Sequence, residues 1–401
     1  MSTEIIKYIN NNPSYGIQYD WKKITKRCKK LGIYPDDPTI WNPLSVPIAS
    51  DTWHVIMSIR SKGKTTNSLL LGLVMYWMYG TVAIYVGQNK DQIRPKNTES
   101  LYNIIRTYNY VDLITGGRWN DIKLYTGGKW YLINTDDDGN IIEKDNTACC
   151  EQLAVSEHEI YKSKRNFPTG DLIIFDEFLA KAYYPNEFLD LCDLLSTVIR
   201  DRQNVKIFLL SNTINKHHTY FNELDIYDEV QALEAGHSFQ HETYNGTRLY
   251  CTIIDPAVTE RKKKFNRMYF GFKNPGLGAI TGETTWSESN YPHCINSEKT
   301  KTLIHNIYIY YNKKLVNLEV VTNDVGLCIN AHWAKRTYDD SIIYTINPMY
   351  DRRYRYRLGD PTSSRIDKII NNLFKSNKVY YSTNDVGSFV SSYLQEAKVK
   401  L

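Results

Sequence analysis

The sequence predicts an α/β protein, and two arrangements of apolar residues together with the chain length indicate two domains. In the first half, short apolar strands alternate with helical patterns, which is typical of a mostly parallel sheet covered on both faces. After Thr302, three β-rich stretches follow one another before strands and helices alternate again. With 401 residues, the chain also exceeds what one hydrophobic core usually supports.

The first half is predicted to begin with a strand, a loop and a buried helix. The strands are expected at His54–Ile59, Val82–Val86, Leu172–Phe175 and Val205–Leu210. One helix is expected from Lys64 to about Tyr79. A second helix is indicated by apolar residues that share one face, namely Phe188, Leu191, Leu195 and Val198.

The C-terminal part is predicted to be a separate α/β domain with an RNase H-like layout. Its three β-rich stretches are Leu303–Tyr311, Leu315–Val321 and Gly326–Ala331. They are followed by a strand near Ile342–Ile346, a helix from about Ser363 to Phe374, a strand at Val379–Tyr381 and a last helix to about Ala397. Three antiparallel strands followed by alternating strands and helices are typical of that layout.

Changes in pattern along the chain set the expected domain boundaries. Residues 1–50 are interpreted as an N-terminal extension of a nucleotide-binding domain that occupies 51–225. Residues 226–298 contain glycine and proline clusters and a basic run, and are interpreted as a linker or small subdomain. Residues 299–401 form the predicted C-terminal domain.

The composition excludes several classes of protein. A net charge of +5 is mild for this length, so contacts with a polyanion are expected from local basic segments. The seven cysteines form no CxxC pair, and their odd number argues against a disulfide framework, which favours a reducing cytoplasm. The nine histidines show no zinc spacing, so no metal cluster of histidines and cysteines is expected. No apolar run reaches the roughly 18 residues of a membrane span, so no membrane partner is expected.

The loop after the first strand has the pattern of a phosphate-binding loop. Residues 58–65 read Ser-Ile-Arg-Ser-Lys-Gly-Lys-Thr, which is GxxxxGK[ST] with serine in place of the first glycine. Amide groups at a helix start bind phosphates, while the lysine reaches the β and γ phosphates and the threonine hydroxyl binds Mg²⁺. The residues assigned to ATP are Ser58, Arg60, Ser61, Lys62, Gly63, Lys64, Thr65 and Thr66.

A pair of carboxylates follows the third predicted strand. Leu172–Glu177 reads Leu-Ile-Ile-Phe-Asp-Glu, which brings two acids to the C-terminal edge of the sheet, where α/β proteins bind ligands. Asp176 is expected to hold Mg²⁺, and Glu177 to activate the attacking water. This order of the two acids is typical of hydrolysing ATPases of the ASCE type. The alternative interpretation is an acidic turn that caps the next helix.

Two later features fit the same mechanism. Arg200 and Arg202 end the predicted helix, where one of them is suited to enter a neighbouring subunit's site as an arginine finger. Cations that complement the helix dipole are the alternative. Asn212, at the end of the following strand, is suited to sense the γ phosphate, although Ser211-Asn212 also reads as a turn start.

At these residues the chain resembles the DNA encapsidation ATPases of small, protein-primed podoviruses (Picovirinae type), which are relatives of large-terminase motors. The resemblance covers most of residues 54–401 and leaves the first fifty largely outside. The segments that carry it are Arg60 with Gly63-Lys64, Asn166-Phe167-Pro168, Phe175-Asp176-Glu177-Phe178, Thr197–Arg202, Ser211-Asn212 and the meander from Ile307.

The resemblance implies a motor that uses ATP and Mg²⁺ to move double-stranded DNA into a procapsid. It implies a homopentameric ring on the portal vertex, acting in the host cytoplasm, with an adaptor between ring and portal left open. It makes Arg200 the better finger candidate than Arg202, and it assigns DNA contacts to Lys90 and to the basic group 162–165, with Lys162 and Lys164. A surface lysine is the alternative for Lys90.

The C-terminal domain is expected to be a vestigial nuclease. An active RNase H-type site needs clustered carboxylates for two metal ions, one of them on the first strand, and Leu303–Tyr311 contains none. Asp339, Asp340 and Asp385 are interpreted as caps and turns. A segment from Arg352 to Arg357 alternates arginine with tyrosine and is suited either to touch phosphates or an acidic portal surface, or to form a solvated edge strand.

Two other functions remain open from the sequence. One is a ring ATPase that acts on nucleic acid without a capsid, such as a conjugation or segregation translocase or a helicase. The other is a nucleotide-binding scaffold whose altered phosphate loop no longer hydrolyses ATP.

Overall fold

The computed structural model describes most of the chain as two compact units. The described residues are 16–34, 37, 39–162, 166–179, 184, 186–255, 257, 260–272, 286, 289–293, 301–323, 326–346, 351–356 and 364–397. Those among 1–180, 186–213 and 232–263 form the first unit, and those among 181–185, 214–231 and 264–401 form the second.

The first unit alternates strands with helices around one sheet. Its strands are β1 (Trp53–Ser58), β2 (Ala83–Gly87), β3 (Asp121–Tyr125), β4 (Lys129–Thr135), β5 (Ile141–Lys144), β6 (Cys150–Ala154), β7 (Leu172–Asp176), β8 (Lys206–Asn212), β9 (Ser238–Glu242) and β10 (Arg248–Ile253). Its longer helices are α1 (Trp21–Leu31), α2 (Lys64–Tyr79) and α7 (Glu187–Ile199). Shorter ones are α3 (Pro95–Thr98), α4 (Asn103–Thr107), α5 (Tyr110–Thr115) and α6 (His158–Lys162).

In the described residues, ten strands form one mixed sheet. Its order is β3-β4-β6-β2-β7-β8-β1-β10-β9, with β5 paired to β4. The strands from β6 to β10 in this order are all parallel, and antiparallel strands flank them on both sides. The predicted parallel sheet is therefore the centre of a wider sheet. The antiparallel strands between residues 121 and 154 were not predicted.

The segment interpreted as a linker contributes two strands to this sheet. β10 pairs in parallel with β1, the strand that leads into the phosphate loop, and β9 pairs antiparallel with β10. Residues 226–298 were interpreted as a linker or small subdomain, and the structure assigns β9 and β10 of this range to the sheet of the first unit. Every second side chain of β9 is exposed, whereas four of the six residues of β10 are buried. The sequence of β10 includes Arg248 and Thr252, so it lacks the continuous apolar run of a central strand.

The N-terminal extension contains a helix that packs into the first unit. Helix α1 begins after Asp20, whose carboxylate accepts from the amide of Lys23, and ends at Gly32 in the left-handed conformation. Ile24 and Cys28 lie on its buried face and join the core. The first fifty residues are thus partly structural, and this helix was missed in the sequence.

Helix α2 lies against the sheet at very short range. A Cβ atom on Gly72 would come within 2.9 Å of the Ala83 Cβ atom and 3.6 Å of a methyl group of Leu172. Both neighbours belong to strands of the parallel centre, so the glycine is required by close packing of helix on sheet. The bounds of α2 agree with the predicted helix.

The second unit contains a six-stranded sheet among its described residues. Its elements are α8 (Tyr220–Glu223), α9 (Tyr227–Ala232), α10 (Glu260–Phe270), β11 (Thr302–Tyr311), β12 (Lys314–Asn323), β13 (Gly326–Ala334), β14 (Ile342–Thr345), β15 (Tyr354–Tyr356), α11 (Arg365–Lys375), β16 (Val379–Tyr381) and α12 (Asn384–Glu396). Helix α10 spans the boundary between the units, because the first unit ends at Lys263.

The sheet order of the second unit is β15-β14-β11-β12-β13-β16. Strands β11, β12 and β13 form the predicted antiparallel meander, and β14 and β15 join it in parallel beside β11. The apolar residues of β11 and β12 pack with Phe389 and Tyr393 of α12. Within the described part of the chain, no helix is long and apolar enough to cross a membrane.

Candidate nucleotide site

The phosphate loop joins the buried strand β1 to the start of α2. Ser58 is fully buried, and its hydroxyl donates to the carbonyl of Ile59 at 2.6 Å. Ser61 and Gly63 have positive φ angles of 66° and 75°, so the chain turns tightly before the helix begins at Lys64. The amides at this helix start are therefore available to an anion.

Lys64 lies at the centre of the site. Its Nζ atom donates to the Ser58 hydroxyl at 2.6 Å and to the Asn212 Oδ1 atom at 3.3 Å. Asn212 ends β8, and its backbone pairs with that of Ser58 on β1. Burial lowers the pKa of Lys64 to about 8, although Asp176 and Glu177 oppose that effect. The serine that replaces the first glycine thus holds the lysine in place.

Asp176 and Thr65 meet at the C-terminal edge of the sheet. The Thr65 hydroxyl donates to the Asp176 Oδ2 atom at 2.6 Å, and the Tyr85 hydroxyl lies 3.4 Å from the same oxygen. Burial raises the pKa of Asp176 above its usual value. A hydroxyl and a carboxylate at this edge fit Mg²⁺, which typically takes one or two protein oxygens and completes its shell with phosphates and water.

Glu177 follows Asp176 and is exposed at the edge of the same site. Its backbone has a positive φ of 58°, and its amide donates to the Asp176 Oδ1 atom at 3.0 Å. A glutamate in this left-handed conformation is strained, which is common at functional sites. The strained turn directs the two adjacent acids differently, so that one contacts Thr65 and the other stays exposed to solvent.

A cavity of about 610 Å³ connects these residues. It is lined by the predicted residues Arg60, Ser61, Lys62, Gly63, Lys64, Thr65, Thr66, Asp176, Glu177 and Asn212. Ser58 lies behind the cavity and contacts it through Lys64. Lys62 points its ammonium away from the loop, toward the carbonyl of Ala257 at 2.6 Å.

The cavity also has a side that was not predicted from the sequence. It is formed by Ile33, Ile40, Asn67, Leu70, Ile104, Tyr108 and Tyr110. Aliphatic and aromatic side chains next to a phosphate loop are suited to a nucleotide base. Tyr108 and Tyr110 have ring centroids 6.1 Å apart and come from the short helical segment around α5. Nothing in their local sequence distinguishes them from other surface tyrosines.

The two arginines at the end of α7 have different surroundings. Arg202 is buried; its Nε atom donates to the Asp171 Oδ1 atom at 2.5 Å, and its guanidinium also donates to the carbonyls of Gly170 and Val198. Arg200 is exposed and has a positive φ of 51°. Arg202 therefore holds the fold, and of the two only Arg200 presents its charge to solvent.

The lysines assigned to DNA are already paired with acids. The Lys90 ammonium lies 2.8 Å from a Glu157 carboxylate oxygen. The Lys162 ammonium lies 2.6 Å from an Asp193 oxygen and 3.1 Å from a Glu159 oxygen, and these hydrogen bonds raise its pKa. Lys164 lies outside the described residues.

Two of the three acids of the second unit that were interpreted as caps and turns, Asp340 and Asp385, lie near cationic side chains. Asp385 accepts from His217 at 2.8 Å and lies 3.0 Å from the Lys216 ammonium. Asp340 lies 3.6 Å from Arg352, and Asp339 is exposed.

The basic segment of β15 also has partners for its charges. Arg353 pairs with Asp351, and Arg355 pairs with Asp367 at 2.7 Å. Strand β15 lies at the edge of its sheet, which agrees with the edge-strand interpretation. Arg357 lies outside the described residues.

The part of the sequence that contains Lys64 and Asp176 matches a family model. The family model described as podovirus DNA encapsidation protein (Gp16) matches residues 40–235. This match confirms the resemblance to podovirus DNA encapsidation proteins. The matched range includes the phosphate loop, both acids, Arg200 and Asn212, and it ends before β9.

Two curated proteins are similar to the chain over a shorter range. The DNA packaging proteins of Bacillus phage PZA and Bacillus phage phi29 are each 26% identical to the chain over 119 residues, or 28% of this chain. The matched part spans 34% of the length of each relative.

Two solved structures share the fold across most of the chain. The structure described as the Phi-28 gp11 DNA packaging motor has a TM-score of 0.51 at 18% identity, covering 91% of this chain and 100% of that one. The bacteriophage Phi-29 viral genome packaging motor assembly gives a TM-score of 0.50 at 17% identity, covering 90% of this chain and 99% of that one. At this identity, the likeness concerns the fold alone.

Proposed function

We propose that this chain is the ATPase subunit of a viral packaging motor that moves double-stranded DNA into a procapsid. The observation that carries the proposal is the joint position of Lys64, Thr65 and Asp176 in one cavity with Asn212. The family match over residues 40–235 supports the link to DNA encapsidation.

Each residue of the cavity has a defined task in this proposal. Lys64 leaves Ser58 and Asn212 to contact the β and γ phosphates, and the amides of the loop hold the phosphate oxygens. Thr65 and Asp176 would hold Mg²⁺, which when bound would supply positive charge beside the phosphates. Glu177 accepts a proton from the attacking water, and Asn212 hydrogen-bonds the γ phosphate.

Arg200 acts on a neighbouring subunit in this proposal. Strands β7 and β8 are parallel, so α7 returns the chain from the edge that carries Asp176 to the opposite edge. A helix of 13 residues is about 20 Å long, and Arg200 at its end is therefore distant from Lys64 of the same chain. An exposed arginine there is suited to a site across a subunit interface, in a ring that we propose to be a homopentamer at the portal.

The second unit is proposed to be an RNase H-like domain without nuclease activity. Within its order β16-β13-β12-β11-β14-β15, the antiparallel meander and the two parallel strands on the β11 side support that layout. Strand β16, parallel to β13 at the other edge, is an additional strand. The described connection from β13 to β14 contains no helix, which departs from the alternating pattern. Asp385 lies 3.0 Å from the Lys216 ammonium, and Asp340 lies 3.6 Å from the Arg352 guanidinium.

DNA contact by Lys90, Lys162 and Lys164 remains part of the proposal. For Lys90 and Lys162, phosphates must replace Glu157 and Asp193, so the ion pairs compete with DNA. Because the acids compete with DNA phosphates, these lysines form weak contacts with DNA that break and re-form readily. A motor that moves along DNA needs contacts of this kind.

The proposed function is tested by ATP-dependent protection of DNA from nuclease in purified procapsids. Protection by the wild-type chain, and its loss with Lys64→Ala or Glu177→Gln, is the expected result. Full ATPase stimulation by naked DNA without protection favours a ring translocase or helicase that acts without a capsid. An ATPase rate unchanged by both substitutions favours the non-hydrolysing scaffold.

Trans action of Arg200 is tested by mixing inactive subunits. Arg200→Ala and Lys64→Ala chains are each inactive alone, and mixed rings recover part of the ATPase rate if the arginine serves the neighbouring site. Ring assembly of the mixture is monitored by light scattering, so that absence of recovery in assembled rings contradicts the trans role.

A further inference from the structure

Helix α1 concentrates the positive charge of the chain. It carries Lys22, Lys23, Lys26, Arg27, Lys29 and Lys30 and no acid, a net charge of +6. The whole chain has a net charge of +5, so the remaining residues sum to 5 − 6 = −1. The local basic segment expected from the composition is therefore this helix.

The lysines of α1 differ from the lysines discussed above. All five are exposed, and within the part of the chain that the structure describes none has a carboxylate at ion-pair distance. Lys90 and Lys162, by contrast, are both paired with acids. The charge of α1 is thus available to an external anion.

The helix dipole does not account for this pattern. Cations in the last turn, such as Lys29 and Lys30, complement the dipole, but Lys22 and Lys23 lie in the first turn, where it opposes them. Pairs three and four residues apart, such as Lys26 with Lys30, repel each other and disfavour the helix. A bound polyanion removes both costs.

An aromatic ring adjoins this charge. Lys23, Lys26, Arg27 and Lys30 line a cavity of about 380 Å³ together with Trp77 and Tyr79 from the last turn of α2. Trp77 is 37% exposed. Sites for nucleic acid with unpaired bases typically combine two features. Cationic side chains bind the phosphate backbone, and an aromatic side chain stacks against a base.

The cavity is far from the nucleotide site. It lies at the C-terminal end of α2, whose first residue is Lys64, and a helix of 16 residues is about 24 Å long. We infer that α1 and Trp77 form a second site, which binds the phosphate backbone of nucleic acid and stacks an unpaired base. The inference goes beyond the proposed motor, because this binding requires no ATP hydrolysis.

The test measures the anisotropy of labelled 20-nucleotide single-stranded RNA, single-stranded DNA and duplex DNA with the full chain. Lys23→Gln, Lys26→Gln and Lys30→Gln together are expected to weaken binding at least tenfold at low salt. Loss of three phosphate contacts is expected to make the negative slope of log affinity against log salt concentration less steep by about 2 for single strands. The two single-stranded probes separate RNA from DNA as the source.

Trp77→Ala is expected to weaken single-stranded binding about tenfold and duplex binding less than twofold. Trp77→Phe keeps a ring for stacking and restores most of the affinity, which separates stacking from damage to the fold. Equal losses for single strands and duplex contradict the stacking role.

The matched control removes three exposed lysines elsewhere, with Lys96→Gln, Lys123→Gln and Lys375→Gln together. Less than a twofold change is expected. Equal effects of the two triple variants overturn the proposal, as does a loss of binding to anionic phospholipid vesicles without loss for nucleic acid. Lys64→Ala serves as a second control, which is expected to remove ATPase activity and to keep nucleic-acid binding. Failure of the proposed motor function can therefore be distinguished from failure of the proposed binding site.

Discussion

The Thr65 hydroxyl donates a 2.6 Å hydrogen bond to the Asp176 carboxylate, which joins the first turn of α2 to the end of β7. A hydroxyl oxygen and a carboxylate oxygen from segments far apart in the sequence thus lie next to each other at the edge of the sheet. Burial raises the pKa of Asp176, because it disfavours the charged carboxylate. A cation bound beside the carboxylate stabilises its charged form.

Asp176→Asn is expected to reduce Mg²⁺-dependent ATP hydrolysis at least a hundredfold, because an amide is a much weaker ligand for Mg²⁺ than a carboxylate. Metal-free nucleotide binding changes little, since Lys64 and the loop amides remain. Titration of the ATPase rate with Mg²⁺ checks the first expectation, and equilibrium binding in chelator checks the second. Thr65→Ser is the matched control and keeps the activity; equal rates for Asp176→Asn and the wild type exclude Asp176 as a ligand.

ATP affinity is expected to fall as the pH rises above about 8, the value to which burial lowers the pKa of Lys64. Phosphates favour the charged amine and raise its pKa again, so ATP binding takes up a proton above this pH. Calorimetry at pH 8.5 in two buffers of different ionisation enthalpy measures the uptake. Lys64→Arg removes it, because a guanidinium stays charged. Uptake that persists in this variant assigns the proton to another group.

Arg202→Ala is expected to lower the free energy of unfolding by about 3–5 kcal/mol, because it leaves the buried Asp171 carboxylate without its cationic partner, with the Tyr19 hydroxyl still donating to its other oxygen. Arg200→Ala is expected to change it by less than about 0.5 kcal/mol, since the side chain is exposed. Urea unfolding of the two variants measures the difference. Similar losses for both contradict the division of roles between these neighbours.

The second unit is expected to lose stability as the pH falls below about 6.5, the usual pKa of histidine. His217 is buried between the Tyr227 hydroxyl and Asp385, and burial lowers its pKa, so protonation favours the unfolded chain. Burial opposes ionisation of Asp385, but hydrogen bonds from His217 and Lys216 hold its pKa well below the usual range. The ionised Asp385 carboxylate therefore stabilises the folded second unit above about pH 4, and this stabilisation is lost as the pH falls further.

Hydrogen exchange of the α12 amides in the full chain, at pH 7.5 and 5.5, measures this effect after correction for intrinsic rates. The His217→Gln variant is expected to be less stable than the wild type at both pH values. The change in its stability between pH 7.5 and 5.5 is expected to be smaller than in the wild type. A wild-type difference that the variant retains in full assigns the pH dependence elsewhere.

The elements that were predicted well are those with a strong local pattern. Helix α2 is apolar from Leu69 to Met75 and lies between Gly63 and Gly80, which both adopt the left-handed conformation at its ends. The meander of the second unit has turn residues at Asn312-Lys313, both with positive φ. In these segments the local sequence and the tertiary structure favour the same conformation.

The elements that were missed depend on distant partners. Strand β10 has only a weak local strand pattern, Arg-Leu-Tyr-Cys-Thr-Ile, and its pairing with β1 and β9 places it in the sheet. Helix α1 had a local signal in Asp20, Ile24, Cys28 and Gly32, which its dense lysines obscured. In the site, Lys64 and Asp176 follow from motifs, whereas Tyr108 lines the cavity only through the tertiary fold.

The pairing of β10 with β1 determines where the chain can be cut. A fragment that ends at residue 225 exposes the whole hydrogen-bonding edge of β1, beside the phosphate loop, and such an edge promotes aggregation. A fragment that extends to Lys263 keeps β10 in place and β9 as its outer strand. Separation of the first unit from the rest of the molecule should therefore use the later end point, although the family match stops at residue 235.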